Sequence, residues 1–457
     1  MIKRILFGNF RLIHRASRAV RHRFTPAGLL LAGATVSAGI FGVNTHQTLS
    51  YQVFSLGAAA LVLAMLTGFR FRPRVRLRRI LPRYCTSGQP AVYQCIVEST
   101  SRRAQAGWLL IDELREEFPG FKEFQATRDP RDKQRNWFDR MVGYPRLMGW
   151  IRRRRGGSIE PVPIEELAPM ERLRVNIRLT PVRRGYLHFS RLRLARPDPL
   201  GLFHGLRSYP QSESLLVLPR TYRVPAFALG RQRRYQHGGI AQANAVGDSQ
   251  EFMSLRDYRP GDPMRVIHWR SFAKTGRPVV KEFHDEYFVR QGLVLDTFLE
   301  NRGRAAFEEA VSVAASFAIT VSNQDALLDL LFIGIEAYRF TAGRTLGWTD
   351  GMLEVLACVE PCSNRLFSDL SRFVLRHAPE TSGLVCVFLD WDDARRGLVA
   401  DLTARGIPVT VLVVNENVEA PLDTTPLGAH PERLVSVPPG NVQSALDSAF
   451  AGEQKAA

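Results

Sequence analysis

The chain has 457 residues, of which 45% are apolar and 23% are charged, and its formal net charge is +18. This length exceeds what one hydrophobic core supports and predicts two to four domains, while the apolar and charged fractions are ordinary for a globular protein. Residues 1–80 contain 13 Lys and Arg and no Asp or Glu. The remainder is only mildly basic, so no nucleic acid partner is expected.

The five cysteines form neither a disulfide framework nor a zinc motif, because no His or Cys cluster with ligand spacing accompanies them. We expect all five to be reduced packing residues in a cytoplasmic compartment. They are Cys85, Cys95, Cys358, Cys362 and Cys386.

Two apolar segments near the N-terminus predict a transmembrane hairpin. No Asp, Glu, Lys or Arg occurs from Phe24 to Phe69, and the polar stretch 44–52 divides this region. The two halves, at about 25–43 and 51–69, are each long enough to cross a hydrocarbon core of about 30 Å. Their Gly and Ala residues favour close helix packing.

The flanking arginines predict the orientation of this hairpin. Arginines precede the first apolar segment and follow the second, over 11–23 and 70–79. Basic flanks stay cytoplasmic, so both termini and the soluble domains are expected in the cytoplasm, on a multi-pass protein of the cell inner membrane. A cleaved signal peptide was the alternative, but a second apolar segment that ends in arginines argues against it.

Residues 81–225 are predicted to form a small β-sandwich. Short runs such as VYQCIV, LRVNIRL and YLHFSRLRLA alternate apolar and polar side chains between Ser, Gly and Pro. The alternation slips at Ser190-Arg191, which suggests a β-bulge.

An insertion at about 120–163 interrupts this pattern with aromatic residues beside many arginines. Two interpretations stay open. The segment could lie on anionic lipid headgroups, or it could pack on its own domain.

A charged connector is predicted over 226–289. Arg259-Pro260-Gly261-Asp262 has the composition of a type II turn, with Gly at the position that requires a positive φ. Asp262 before Pro263 then predicts a helix N-cap. The helix should run through Trp269 and end near Gly276, followed by a strand over PVVKEF.

Residues 290–457 predict an α/β domain. Apolar strands such as QGLVLDTF and GLVCVFLD alternate with helical patterns. This alternation predicts a mainly parallel sheet that is covered on both faces. Ligands in such folds bind beyond the carboxyl ends of the strands, where Asp296 and Asp390 occur.

The sequence at this point resembles a known bacterial family, domain of unknown function number 58. The residues that carry the resemblance are SLRDYRPGDPMRVIHWRSFAKTGRPVVKEFHDE, with RRGYLHFSRLRLARPDPLGLF and VLPR before it. The resemblance covers about Val92 to Val437, together with the paired membrane segments.

The resemblance implies a C-terminal domain similar to von Willebrand factor A domains. It also implies neighbours that are AAA+ ATPases of the MoxR type and transglutaminase-like membrane proteins. No general catalytic activity is established for that family.

Von Willebrand A domains that bind Mg²⁺ use an Asp-x-Ser-x-Ser loop with a Thr and an Asp from later loops. Asp296 takes the first position here and Asp390 fits the later Asp, but Phe298 and Glu300 replace the two serines. No loop Thr is clearly placed, although Thr345 and Thr349 are near. Because phenylalanine cannot ligate a cation, the site is expected to be degenerate and to hold no metal.

Three interpretations compete for the connector. A metal or hydrolase site would require Asp257, Asp262, His268, His284 and Asp285 to converge, but no recognised ligand spacing supports it. An inter-domain clamp would pair arginines with carboxylates, because Arg–carboxylate forks hold a fixed geometry. Its members would be Arg256, Arg259, Arg265 and Arg270 with Asp257, Asp262 and Glu282.

A docking surface is the third interpretation, since Tyr, Trp and Arg are the residue types that carry interface energy. The clamp and the docking surface are compatible, and both lead away from catalysis. The interaction signature is Arg256, Tyr258, Arg259, Pro260, Gly261, Asp262, His268, Trp269, Arg270 and Lys274.

The sequence therefore predicts a multidomain protein: a two-helix transmembrane hairpin, a β-sandwich, the charged connector and a doubly wound α/β domain similar to von Willebrand factor A domains. It is expected to be a membrane-anchored scaffold or interaction module without catalytic activity or cofactor. A Mg²⁺-dependent binding protein and a hydrolase are the alternatives.

Overall fold

The structure is a computed structural model, which describes residues 2–41, 48–126, 136, 137, 139, 143–225, 252–262, 264, 267–283, 290–299, 303–322, 327–342, 346–415 and 422–450. The chain divides into two compact units. The first is Met1–Arg220 with Leu353–Cys358, and the second is Thr221–Met352 with Val359–Ala457.

Three helices begin the first unit: α1 (Ile2–Arg23), α2 (Pro26–Phe41) and α3 (Thr48–Phe69). Among the residues that the structure describes, one helical segment, Leu49–Phe69, is long and apolar enough to cross a membrane. Helix α2 is also apolar but has 16 residues, fewer than the roughly 20 that a typical span needs. The predicted transmembrane hairpin therefore stays a prediction.

Helices α2 and α3 pack closely where one of them carries a small residue. A Cβ added to Gly57 would stand 2.2 Å from the Thr35 hydroxyl, and one added to Gly39 would stand 3.0 Å from the Phe54 ring. Glycine thus lets the two backbones approach, which is the role that the sequence predicted for it.

Two sheets follow in the first unit. One has the order β1-β3-β7-β5 and the other the order β2-β9-β8-β4-β6, with all pairs antiparallel except β2 with β9. The strands are β1 (Val75–Ile80), β2 (Tyr84–Thr86), β3 (Ala91–Ser99), β4 (Gln105–Leu114), β5 (Gly157–Ile159), β6 (Val162–Leu167), β7 (Arg172–Pro181), β8 (Gly185–Pro197) and β9 (His204–Leu218).

The two sheets share one hydrophobic core, because alternate side chains of each point to the same interior. Tyr93 and Ile177 enter it from the first sheet, and Trp108 and Phe189 enter it from the second. The arrangement is that of a β-sandwich. The β8–β9 register shifts between Phe189 and Arg191, so the predicted bulge is confirmed.

The turn between β8 and β9, residues 198–203, connects the sandwich to the apolar helices through direct contacts. Asp198 organises this turn, because its carboxylate accepts the amides of Leu200, Leu202 and Phe203 at 2.6–2.9 Å. The Thr25 hydroxyl donates to the Gly201 carbonyl at 2.6 Å, and the Thr25 amide donates to the Leu202 carbonyl. The motif DPLGLF is therefore the joint between helix and sheet.

Helix α1 and the insertion pack together. The insertion contains α4 (Phe121–Ala126) and α5 (Tyr144–Arg155), and Leu147, Trp150 and Ile151 of α5 form a buried cluster with Phe7 and Phe10 of α1. Those described aromatic and apolar side chains pack on their own unit. Arg152, Arg153 and Arg154 point to solvent, and contact with lipid stays a prediction.

The second unit has a two-stranded sheet and a six-stranded sheet. Its elements are β10 (Phe252–Asp257), α6 (Trp269–Thr275), β11 (Val279–Phe283), β12 (Arg290–Leu295), α7 (Arg304–Ser322), β13 (Leu327–Ile333), β14 (Ala337–Ala342), α8 (Leu346–Cys358, whose residues Leu353–Cys358 belong to the first unit), α9 (Phe367–His377), β15 (Gly383–Phe388), α10 (Asp393–Ala404), β16 (Val409–Val414), β17 (Leu434–Val437) and α11 (Val442–Phe450).

The larger sheet has the order β14-β13-β12-β15-β16-β17 and is parallel except for β14. Strands β15 and β16 are buried at every position, as expected for strands that are covered on both faces. The predicted mainly parallel sheet is confirmed. The sequence reading omitted β14 and α9, although Phe367, Leu370 and Val374 repeat at helical spacing.

The cysteines differ from one another in exposure. All five are free, and Cys85, Cys95 and Cys386 are buried. Cys358 is exposed, so the expectation that all five are packing residues is wrong at that position.

Candidate functional site

The interaction signature lies within a hairpin, which we call the signature hairpin. Its two strands, β10 and β11, are antiparallel neighbours, and α6 lies between them in the chain. The predicted type II turn is at its expected place: the Asp262 amide donates to the Arg259 carbonyl at 3.0 Å, and Gly261 has a φ of 109°. The connection then folds back on β11, since the His268 amide donates to the Val279 carbonyl at 2.8 Å.

A bidentate ion pair stabilises this turn. The Arg256 guanidinium donates to both carboxylate oxygens of Asp262, at 2.7 and 2.8 Å, and the Arg259 amide donates at 2.9 Å. The Arg256 hydrogen bonds, followed by the Arg259 amide, hold the pKa of Asp262 at about 2. One pair of the predicted clamp therefore exists, and it lies inside the hairpin.

Helix α6 begins at Trp269, so the predicted N-cap at Asp262 is wrong. The carboxylate of Asp262 is already engaged by Arg256 and by the Arg259 amide, and His268 precedes the helix instead. The helix ends where expected, at Gly276 with a φ of 65°, and the predicted strand follows as β11.

No residue of α6 is buried. The side chains of Trp269 and Phe272 are 59% and 38% exposed and contact each other edge to face. Arg270 and Lys274 on the same helix are exposed as well. The helix thus presents aromatic and cationic side chains to solvent instead of burying an apolar face.

The other members of the signature are at the edge of this surface. Arg259 and Pro260 are exposed, and Tyr258 is half-buried with its amide donating to the Pro278 carbonyl. Asp257 is exposed at the end of β10. His284, Asp285, Arg265 and the side chain of Glu282 lie outside the described residues.

The hydrolase alternative depends on what His268 contacts. Among the described residues, its ring has one side-chain hydrogen-bond partner, the hydroxyl of Ser271. Nδ1 of His268 lies 2.6 Å from Oγ of Ser271. Among the described residues no carboxylate pairs with His268, so the described part of the chain holds a His–Ser contact without the third group that orients a catalytic base.

Asp296 lies at the carboxyl end of β12 and is fully buried. Its carboxylate accepts the Phe298 amide at 2.9 Å, the Leu389 amide at 3.1 Å and Nε of Arg395 at 2.7 Å. Burial raises the pKa of Asp296, and Arg395 opposes that shift. All three of these groups are hydrogen-bond donors, so the site is arranged to bind the Asp296 carboxylate as an acceptor.

Arg395 supplies the positive charge at this site. It is 1% exposed, it lies over the Phe367 ring at 4.5 Å, and its Nη1 donates to Asp392 at 2.6 Å. The Arg395 guanidinium thus contacts Oδ2 of Asp296, an oxygen that a metal ion would otherwise coordinate. The donor set does not fit a Mg²⁺ site.

The remaining predicted metal residues do not complete such a site. Phe298 is 4% exposed and packs against Phe367. Asp390 is half-buried and accepts the Trp391 amide at 2.8 Å. Glu300, Thr345 and the side chain of Thr349 lie outside the described residues, and within the described ones no group of three His, Cys, Asp or Glu is arranged to hold a metal.

Sequence reasoning did not identify Arg395. Asp392 at the helix N-cap gave a local signal for the start of α10, because its carboxylate accepts the Arg395 amide at 3.0 Å. The pairing with Asp296 joins residues 99 positions apart, so no local pattern predicted it.

A family model described as "Protein of unknown function DUF58" matches residues 254–423, from β10 through β16. A curated relative, "Uncharacterized protein YeaD" from Bacillus subtilis (strain 168), is 30% identical over 164 residues. That alignment spans 35% of this chain and 39% of the relative. The signature hairpin of β10 and β11 and the six-stranded sheet therefore lie largely inside the region of family similarity.

Solved structures give weaker likenesses. A PapD-like domain of human CEP192 has a TM-score of 0.19 and 13% identity, over 32% of this chain and 86% of that chain. A β-N-acetylglucosaminidase from Vibrio harveyi has a TM-score of 0.13 and 10% identity, over 74% of this chain and 57% of that chain. TM-scores this low assign no fold.

Proposed function

We propose that this protein is a membrane-anchored cytoplasmic scaffold or interaction module without catalytic activity. In this proposal it acts with an AAA+ ATPase of the MoxR type in assembly or envelope-related processes. The class of partner, with transglutaminase-like membrane proteins as further neighbours, comes from the family resemblance. The observation that carries the proposal is the exposed surface of α6.

A preformed surface favours binding because little ordering is required when the partner arrives. The Arg256–Asp262 fork and the turn at Gly261 fix the hairpin that carries α6. Trp269 is the most suitable anchor, since Trp and Arg dominate the energy of protein interfaces. Arg270 beside it supplies the matching charge for an acidic partner surface.

The second unit is proposed to be a domain similar to von Willebrand factor A domains. Its parallel strands β13, β12, β15 and β16 are adjacent in the sheet, and helices connect them along the chain. The Arg395–Asp296 pair favours binding without metal over the Mg²⁺-dependent alternative.

Anchorage in the inner membrane is the third part of the proposal. Helix α3 has the length and the hydropathy of a span, and α2 packs against it. The arginines at 11–23 and 70–79 favour a cytoplasmic position for both termini and for both soluble units.

The test is affinity capture of the full-length chain, tagged at its C-terminus, from detergent-solubilised native membranes with and without EDTA. We expect a AAA+ ATPase to be retained in EDTA, because the proposed contact needs no metal. A partner retained only with Mg²⁺ would revise the proposal toward the metal-dependent alternative.

A paired substitution tests the surface itself. Trp269→Ala with Arg270→Ala should abolish most of the capture and leave membrane insertion intact. Trp137→Ala with Arg102→Ala is the matched control, since both of those side chains are exposed in the other unit. Equal capture by the two variants would exclude α6 as the docking surface, and loss of folding would favour the clamp.

The hydrolase alternative has its own readout. Ser271→Ala removes the only hydroxyl that contacts His268 among the described residues. If the protein hydrolyses an ester or peptide and this variant loses that activity while capture continues, the non-catalytic proposal is wrong.

A further inference from the structure

A cavity of about 380 Å³ opens in the first unit beside the end of α3. Its lining comes from the segment after α3, from the β3–β4 connection, from β4 and from β8. Its charged and aromatic lining residues are Arg70, Phe71, Arg72, Arg103, Trp108 and Arg196.

Four arginines line this cavity and no Asp or Glu does. All four, Arg70, Arg72, Arg103 and Arg196, are exposed, and none is paired with a carboxylate among the described residues. The buried Arg79 and the half-buried Arg193 of the same unit are paired, with Asp112 and with Glu113. The cavity therefore concentrates uncompensated positive charge.

The floor of the cavity is rigid and aromatic. Phe71 and Trp108 are 6% and 4% exposed and contact each other edge to face, with ring centroids 5.9 Å apart. The Arg196 guanidinium lies over the Phe71 ring at 5.0 Å, so its charge is held at the rim. These contacts give the cavity a fixed shape.

The chemistry of the lining selects the charge of the ligand. Guanidinium groups bind phosphate oxygens in a planar, bidentate geometry, and the lining brings four of them to one cavity. Four guanidinium groups without a carboxylate fit a phosphate ester.

The position of the cavity identifies the source of such an ester. Helix α3 ends at Phe69, and Arg70 and Arg72 follow at once. If α3 spans the bilayer, these arginines lie in the headgroup layer, which adds roughly 5–8 Å to each side of the hydrocarbon core.

We propose that this cavity binds the headgroup of an anionic phospholipid, with the arginines on the phosphate. The inference rests on the proposed membrane anchorage. The bound lipid would fix the sandwich at the membrane surface, beside the joint formed by residues 198–203.

The test measures lipid retained by the full-length chain. Protein purified in detergent is reconstituted in nanodiscs of mixed phosphatidylglycerol and phosphatidylcholine, re-extracted, and its bound lipid is quantified by mass spectrometry. We expect phosphatidylglycerol to be enriched. Arg72→Gln with Arg103→Gln should weaken its binding about 30-fold, which is about 1 kcal/mol per arginine.

Arg76→Gln with Arg78→Gln is the matched control, because both arginines are exposed on β1 and do not line the cavity. Equal loss in the two variants would show a general charge effect and overturn the proposal. Equal retention of phosphatidylcholine and phosphatidylglycerol by the unaltered chain would overturn it too.

Two further arms separate the other outcomes. Glycerol 1-phosphate that displaced the lipid at equal concentration would identify a soluble phosphate as the ligand and overturn the lipid assignment. Extraction of membranes at alkaline pH tests anchorage alone. A chain that resists extraction but shows no preference for phosphatidylglycerol would leave the anchorage standing and remove only this inference.

Discussion

At the scale of single residues, each unit contains a buried ion pair. In the second unit Arg395 pairs with Asp296, and both are almost fully buried. In the first unit Arg79 binds both oxygens of Asp112, and the Tyr93 hydroxyl donates to the same carboxylate at 2.6 Å. Such pairs add little net stability over apolar residues, but removing one partner leaves a buried charge without compensation.

Arg395→Met should therefore destabilise the second unit by about 3–5 kcal/mol, because the buried Asp296 would lose the charge that compensates its carboxylate. Calorimetry of the detergent-solubilised chain should show one transition lowered by roughly 10 °C. The control is Arg372→Met, whose side chain is 78% exposed and which should leave the transition in place.

A second variant separates the lost pair from lost packing around Arg395. Asp296→Leu combined with Arg395→Met should recover most of the loss, since the pair is then replaced by apolar groups. If Arg395→Met melts like Arg372→Met, the guanidinium does not compensate Asp296 and the metal-dependent alternative regains support.

At the scale of elements, the turn 198–203 holds the helices and the sandwich together. Gly28 of α2 lies against this turn so closely that an added Cβ would stand 2.0 Å from the Leu202 carbonyl oxygen. A Cβ added to Gly68 of α3 would stand 2.5 Å from the Phe203 ring. The joint tolerates no side chain at either position without a shift of the backbone or the ring.

Gly28→Ala should lower the free energy of unfolding by about 1–3 kcal/mol, because the added methyl group overpacks the joint. Gly33→Ala on the same helix is the matched control, since an added Cβ there meets nothing within 4 Å. That change should be neutral or stabilising by up to about 1 kcal/mol. Thermal unfolding in detergent distinguishes them, and identical midpoints would mean that α2 does not rest on the turn.

At the scale of the whole molecule, the distribution of charge sets the expected topology. All Lys and Arg of residues 1–80 lie outside the stretch Phe24–Phe69, on both sides of it. A hairpin with both ends on the cytoplasmic side satisfies the positive-inside rule for each flank, whereas a single span would place one basic flank on the far side.

Reporter fusions test this topology. Alkaline phosphatase, which is active only outside the cytoplasm, should be active when fused after His46 and inactive when fused after Ala457. A fluorescent protein that matures only in the cytoplasm should fluoresce when it is fused after Ala457 and stay dark when it is fused after His46. Phosphatase activity at Ala457 would contradict the cytoplasmic placement of the soluble domains.

Local pattern in the sequence predicted the sandwich strands with their bulge, the mainly parallel sheet, the turn at Gly261, the C-terminal end of α6 and the strand β11. These features depend on side-chain periodicity and on backbone preferences of Gly and Pro, which are properties of neighbouring residues. The same local reasoning failed at Asp262, where a carboxylate that could cap a helix binds Arg256 instead.

Only the tertiary structure decided what the functional residues do. Sequence placed Asp296 at the first position of a degenerate metal loop, and only the fold shows that Arg395, far along the chain, pairs with it. DPLGLF was a motif without a role until Thr25 and Gly28 were found against its turn. Such contacts form because folding brings distant segments into one dry or crowded place, and that information is carried by three-dimensional packing and not by residue spacing.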